Sequence, residues 1–366
     1  MRVREITNYL ESIAPLEYQA DYDNSGLIVG SSDQNITKVL ITLDCIEEVV
    51  DEAITNKCEL IIAHHPIIFR GLKKINGKNY VERTILKAIK NDIAIYAIHT
   101  NLDNVDIGVN RKIADKLGIK NTRLLQPQSS ILSKLVTFCP KGHSQMVLDA
   151  LHIAGAGNIG NYTQCSFTGS GVGAFNPGEA SDPFIGSKGG QDEKVNEDRI
   201  EVIINTKDER AVLKALFESH PYEEVAYYIH RVDNENQTVG AGMIGQLERD
   251  FDANEFLSFV MEKMELRCIR HTSLTKHAIR TIAICGGAGS LLLTAAKRAK
   301  ADAFITADFK YHEFFDAEKQ LVILDIGHYE SEVFTKDLLL ELLTQKFTNI
   351  ALVLSEVDTN PVKYFN

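Results

Sequence analysis

His64 and His65 stand together at the end of the apolar run ELIIAHHP. Paired imidazoles at a strand end are a natural beginning for a transition-metal site. On a regular strand neighbouring side chains point to opposite faces, so the two rings can share a cavity only where the strand stops and turns. Pro66 supplies the break, because it lacks an amide donor and restricts the residue before it. One histidine here would more often be a core residue with a satisfied hydrogen bond. Two in succession favour coordination.

A second apolar run, IAIYAI, empties into His99, Asn101 and Asp103. Asn and Asp commonly close turns with their own backbone, so Asp103 reads equally as a turn residue and as a ligand. His99 is expected to orient a carboxylate or substrate beside the site, and it is a candidate catalytic residue. In LVILDIGHYESEV a third run leads through a glycine into a helix carrying His328 and Glu332. Residues four apart on a helix share a face, so this imidazole and carboxylate can grip one ion or two neighbouring ions. His64, His65, Asp103, His328 and Glu332 suit zinc, iron or manganese better than magnesium or calcium, which prefer all-oxygen shells. Five protein ligands crowd one catalytic ion and sit comfortably around two, so two divalent ions per chain are expected.

Two further strand ends carry weaker signals. ICGGAGS could cradle an anion with its amides but lacks the dinucleotide and P-loop fingerprints, and a tight strand–helix turn explains it better. ITADFKYHE sets Asp308, Lys310 and His312 near the same edge, with His312 a candidate for proton transfer.

Positioning these residues requires parallel strands. KVLITLD, ELIIAHH and IAIYAIHTN alternate with amphipathic stretches, and RTIAICGG, ADAFITAD and LVILDIG repeat the rhythm in the last third. That is the pattern of βαβ units, and it predicts an α/β fold in which both thirds build one domain on a mostly parallel sheet. Between them, strand–helix–strand occurs twice around a hairpin, which predicts an inserted ferredoxin-like α+β module. The expected division is a discontinuous domain over 1–128 and 241–366, interrupted by a module over 129–240. The glycines from Gly155 to Gly190 are assigned to hairpins and a mobile loop, and residues 178–199 to a flexible excursion.

A net charge of −11 without long runs of either sign argues against a nucleic-acid partner. The opening MRVREITNYLESIAPL has helical spacing rather than a signal-peptide core, and no later stretch is long and apolar enough to span a bilayer, so a cytoplasmic protein is expected. Six cysteines lie scattered without a C-x-x-C pair and read as reduced and uninvolved in metal binding.

AHHPIIF, IHTNLDN, GGAGS, TADFKYHE and GHYESE together resemble the Nif3-like dinuclear metal proteins, also called GTP cyclohydrolase 1 type 2 homologues. HPYEEVAYYI, at 220–229, is similar to the PII/CutA1-like insertion of the longer bacterial members. The resemblance implies a toroidal homo-hexamer with two metals per subunit, held by His64, His65, Asp103, His328 and Glu332. It also implies a metal-dependent hydrolase acting on a nucleotide-like or phosphoester small molecule. The competing reading is a non-catalytic metal-binding or regulatory protein whose module senses a small ligand.

Overall fold

A computed structural model describes residues 1–160, 162–275 and 278–365, and its strands fall into three sheets. The strands before the inserted segment are β1 (Gly26–Val29), β2 (Lys38–Thr42), β3 (Leu60–Ala63), β4 (Ala94–Ala97) and β5 (Lys120–Gln128). Next come β6 (Leu132–Pro140), β7 (Ser166–Phe175), β8 (Glu193–Asn205) and β9 (Tyr227–Val232). The chain continues with β10 (Asn236–Phe251), β11 (Arg270–His271), β12 (Ile279–Ala288), β13 (Ala303–Ala307), β14 (Val322–Asp325) and β15 (Ala351–Leu354). Two compact units result: Met1–Pro127 with Thr238–Asn366, and Gln128–Gln237.

In the first unit, one sheet has the order β1-β4-β3-β2-β15, parallel throughout except for β1. Every residue of β3 and β4 is buried, which is why these runs read as continuously apolar. The helices Glu47–Asn56 and Tyr80–Lys90 cover one face, packing Val49, Val50, Ala53, Ile85 and Ala88 onto Leu40, Ile61 and Ile95. The second sheet has the order β11-β14-β13-β12-β10-β5, with β12, β13 and β14 parallel and antiparallel partners on either side of them.

The single mostly parallel sheet expected from the rhythm is therefore two sheets. Alternation fixes the order within each βαβ run but not whether the runs share an edge. Here β15 takes the free edge of β2 and β1 takes that of β4, which leaves the second run no edge to join. The YHEFFDA segment is also tighter than an α-helix, forming a 3-10 turn over Tyr311–Ala317 that left-handed Glu318 and Lys319 close. Among the described residues no helix is long and apolar enough to cross a membrane.

The second unit holds a four-stranded sheet, order β7-β8-β6-β9, with every pair antiparallel. Helices Ser144–Ile153 and Glu209–Ser219 pack Val147, Leu151, Val212 and Leu216 against Leu135, Ile200, Val202 and Ile204. Two sequence expectations change here. Residues 193–199 belong to β8 and pair with 169–175, so only 176–192 is irregular. The polar string EKVNEDR hides a strand because half of its side chains face away from the core. Gly169, Gly171 and Gly173, assigned to hairpins, lie inside β7.

Candidate metal centre

The histidines and their neighbouring carboxylates leave the sheets of the first unit at the C-terminal ends of β3, β4 and β14. After β3 the backbone makes two last ladder contacts, His64 N to Thr42 O and His65 N to Leu43 O, before Pro66 ends pairing. Both rings then face one cavity, their centroids 4.9 Å apart. Beyond β4, His99 leads into the one-turn helix Thr100–Asp103. Beyond β14, Gly327 takes φ +92°, a conformation suited to glycine, and turns the chain into the helix His328–Glu332.

Each ring is held from behind. His65 Nδ1 donates to Asp44 Oδ1 at 2.7 Å, His99 Nδ1 to Asp23 Oδ1 at 2.8 Å, and His328 Nδ1 to Asp308 Oδ2 at 2.6 Å. His64 Nδ1 donates to the Ile98 carbonyl at 2.7 Å. A carbonyl can only accept, so the His64 proton sits on Nδ1 and its Nε2 lone pair points inward. This carboxylate–imidazole support is what fixes tautomer and aim in metal sites. Asp44 and Asp23 went unnoticed in the sequence, although Asp44 ends a run, KVLITLD, of the same kind as the others.

Glu332 lies at the centre, 3% exposed. Its Oε2 accepts from His65 Nε2 at 2.9 Å and is 3.0 Å from His328 Nε2. His64 Nε2 is 3.6 Å from Asp103 Oδ1 and 4.0 Å from Glu332 Oε1. The His64 nitrogen and the Asp103 oxygen are both buried and lack a hydrogen-bond partner. Two buried, inward-facing ligand atoms without a hydrogen-bond partner are a poor arrangement for a protein alone and a good one around a cation. His64, Asp103 and Glu332 offer one set of converging ligand atoms, His65, His328 and Glu332 a second, and His64, His65 and His99 a third. The donors present thus fit a transition-metal ion, and Glu332 belongs to two sets.

The electrostatics follow from burial and these contacts. Burial pushes His64 down to about 3 against the pull of Glu332. Burial would lower His65 and His328 as well, but Asp44 and Glu332 hold His65 up at about 9, and Asp308 and Glu332 hold His328 up at about 11. Burial, then the Glu332 charge, pushes Asp103 well above the usual carboxylate range. Burial acts the same way on Glu332, but the bonds from His328 and His65 outweigh it and hold that carboxyl well below its usual range.

A pH dependence follows for chelator-stripped protein. A raised imidazole pKa gives stability that is complete below the unfolded value of 6.5 and is lost as pH climbs through about 11 for His328. The Tm gap between wild type and His328→Asn is therefore expected to be widest near about pH 6 and to close as pH rises towards about 11. A gap independent of pH would refute the His328–Glu332–Asp308 ion cluster.

The centre opens into a cavity of about 980 Å³, bordered by Tyr22, Phe69, Arg70, His99 and Cys285. The Cys285 thiol is pushed up by burial and then by Asp103 and Glu332, so it stays protonated. The six cysteines carry no disulfide, and Cys45, Cys58 and Cys139 are buried. The GGAGS loop does not serve as an anion cradle at its first two glycines. The Gly286 amide donates to Asn110 Oδ1 at 3.0 Å and the Gly287 amide to Ser331 Oγ at 2.9 Å. His312 lies exposed on the 3-10 turn with its ring against Tyr311 and Phe315, and it does not line the cavity.

The chain is similar to known proteins over its whole length. A Bacillus subtilis (strain 168) protein named GTP cyclohydrolase 1 type 2 homolog is 38% identical over 366 residues, covering 99% of this chain and 98% of its own. A protein of the same name from Halalkalibacterium halodurans is 39% identical over 364 residues, covering 98% of each. The solved structure of a Bacillus cereus protein related to NIF3 superposes with a TM-score of 0.86 at 38% identity, covering 100% of this chain and 99% of that one. The family model described as Duf34/NIF3 (NGG1p interacting factor 3) matches residues 1–361, both sheets of the first unit and the inserted segment included, and the chain belongs to that family.

Proposed function

We propose that the chain is a dinuclear metal-dependent hydrolase of a nucleotide-like or phosphoester small molecule. The observation that carries this reading is the orphaned pair, His64 Nε2 and Asp103 Oδ1, buried beside Glu332 with no hydrogen-bond partner. His64 and Asp103 would hold one ion, His65 and His328 the other, and Glu332 would bridge them. Zinc, iron or manganese fits these nitrogen and oxygen donors. Such ions supply a hydroxide nucleophile near neutral pH and polarise the oxygen under attack.

The protein's own part is positioning and proton handling. Asp44 and Asp308 keep Nε2 of His65 and His328 aimed inward, and His99, backed by Asp23, offers Nε2 to the cavity as the candidate for moving a proton. His312 is left without a step because its ring is exposed outside the cavity lining. Phe69 packs 6.0 Å from the His99 ring and gives an apolar wall against which a planar substrate could lie. The relatives' name makes GTP ring opening one reaction to assay.

The same reading takes 129–240 as a ferredoxin-like, PII/CutA1-like insertion between 1–128 and 241–366. The strand–helix–strand–strand–helix–strand order and the β7-β8-β6-β9 sheet support it. Homo-hexameric assembly belongs to it through the family likeness, and a cytoplasmic setting through the sequence pattern.

Elemental analysis of tag-free protein tests the core claim. About two equivalents of zinc, iron or manganese per chain are expected, with both lost or weakened in His64→Ala, together with hydrolysis of a nucleotide or phosphoester that chelation abolishes. Protein that is metal-free and refuses added ions would end the reading.

A further inference from the structure

The four-stranded sheet has a face opposite its helices whose composition strand chemistry disfavours. Gly169, Gly171 and Gly173 alternate along β7 and therefore lie on one face. The pairs Gly169↔Arg199 and Gly171↔Glu197 set Arg199 and Glu197 on that face too. Glycine weakens a strand and is often found where something must approach the backbone closely. Here the missing side chains leave a trough that forms part of a cavity of about 740 Å³.

Phe138, Phe175, Phe184, Tyr222 and Tyr228 supply aromatic walls to that cavity. Glu197 reaches into it while only 8% exposed. One carboxylate oxygen accepts from the Tyr222 hydroxyl at 2.8 Å. The other lies across bare backbone, where a Cβ on Gly173 would stand 2.0 Å away. Among the described residues no Lys, Arg or His nitrogen comes within 4.0 Å of this carboxylate, and the neighbouring Arg199 pairs with Glu201 at 2.7 Å instead. A buried carboxylate without a counter-charge is unfavourable, and aromatic faces around it stabilise the organic cation that would relieve it.

We propose that this cavity binds a small organic cation, a protonated or quaternary amine on an apolar body, with Glu197 as its counter-ion. The size suits such a ligand, and the site is separate from the metal centre and from the hydrolase reading. The inserted module would then recognise an amine whether or not the first unit turns over a substrate.

Calorimetric titration of the full chain with benzyltrimethylammonium, benzyl alcohol and benzoate tests this. The cation is expected to bind at least about tenfold more tightly than the alcohol, and benzoate not at all. Glu197→Gln keeps an acceptor for Tyr222 and is expected to erase the tenfold preference. Gly171→Val is the cleaner variant: a Cβ there meets nothing within 4 Å, so valine suits the strand, fills the trough and should abolish binding with Tm unchanged. Equal binding of cation and alcohol, cation binding untouched by Gly171→Val, or no cation binding below about 10 mM would each overturn the proposal. So would sedimentation showing self-association that Gly171→Val releases, because the face would then be a contact between copies of the chain.

Discussion

Glu332→Gln is expected to lower metal affinity by more than about 100-fold, beyond what losing a supporting residue costs. The reason is geometric. Of the three sets of converging ligand atoms Glu332 belongs to two, and no other single side chain joins His64 and Asp103 on one side to His65 and His328 on the other. An amide presents one oxygen where the carboxylate presents two, and it carries no charge to offset two divalent ions. Chelator-stripped protein should respond far less. His65 and His328 keep Asp44 and Asp308 as partners, so the variant loses one end of each charge-assisted interaction and about 2 kcal/mol of stability. Relief of Asp103 works in the opposite direction, since the Glu332 charge helps push that carboxyl up. Metal counting by elemental analysis and urea unfolding of the stripped protein separate the two effects. A variant that retains two equivalents, or that unfolds when stripped but holds metal normally, would show Glu332 to be a structural acid.

The candidate ligands were legible because each lies directly after, or within a turn or two of, an apolar run long enough to be a buried parallel strand. His64 and His65 follow LIIA, and His328 follows VILD by two residues. C-terminal ends of parallel strands gather at one edge, so residue type at those positions carries three-dimensional information. What supports the ligands was harder to read. Asp44 lies 21 residues before His65, and Asp23 lies 76 before His99. No periodicity links such pairs, and an aspartate in DYDNSG looks like any turn. The split into two sheets was hidden for a related reason: it depends on β1 and β15 capping edges, and four-residue edge strands barely register in a sequence. GGAGS read as a tight strand–helix turn, and its residue types do not say what approaches the bare backbone.

What approaches is Glu332 itself, and that makes Gly287→Ala the substitution outside the ligand set with the largest expected effect on metal. Gly287 takes φ +62°, and a Cβ there would stand 2.4 Å from Glu332 Oε1 and 3.3 Å from His328 Cε1. A flexible side chain could yield at little cost, but Glu332 is fixed from its other oxygen by His65 and His328. The methyl group must displace the carboxylate or the loop. Alanine in this left-handed conformation costs roughly 1–2 kcal/mol by itself, which predicts a modest fall in the stability of stripped protein. Metal affinity should fall about 10- to 100-fold, as it does when the orientation of a ligand is disturbed. Ser331→Ala gives the contrast. It leaves the ligands in place but removes the acceptor of the Gly287 amide, which is buried, so stability should drop by about 1–3 kcal/mol with little change in metal. Chelator competition and urea unfolding on both variants measure the two quantities independently. If Gly287→Ala binds metal as tightly as wild type, the loop is only a turn, and the close packing of Gly287 on Glu332 has no part in holding the ions.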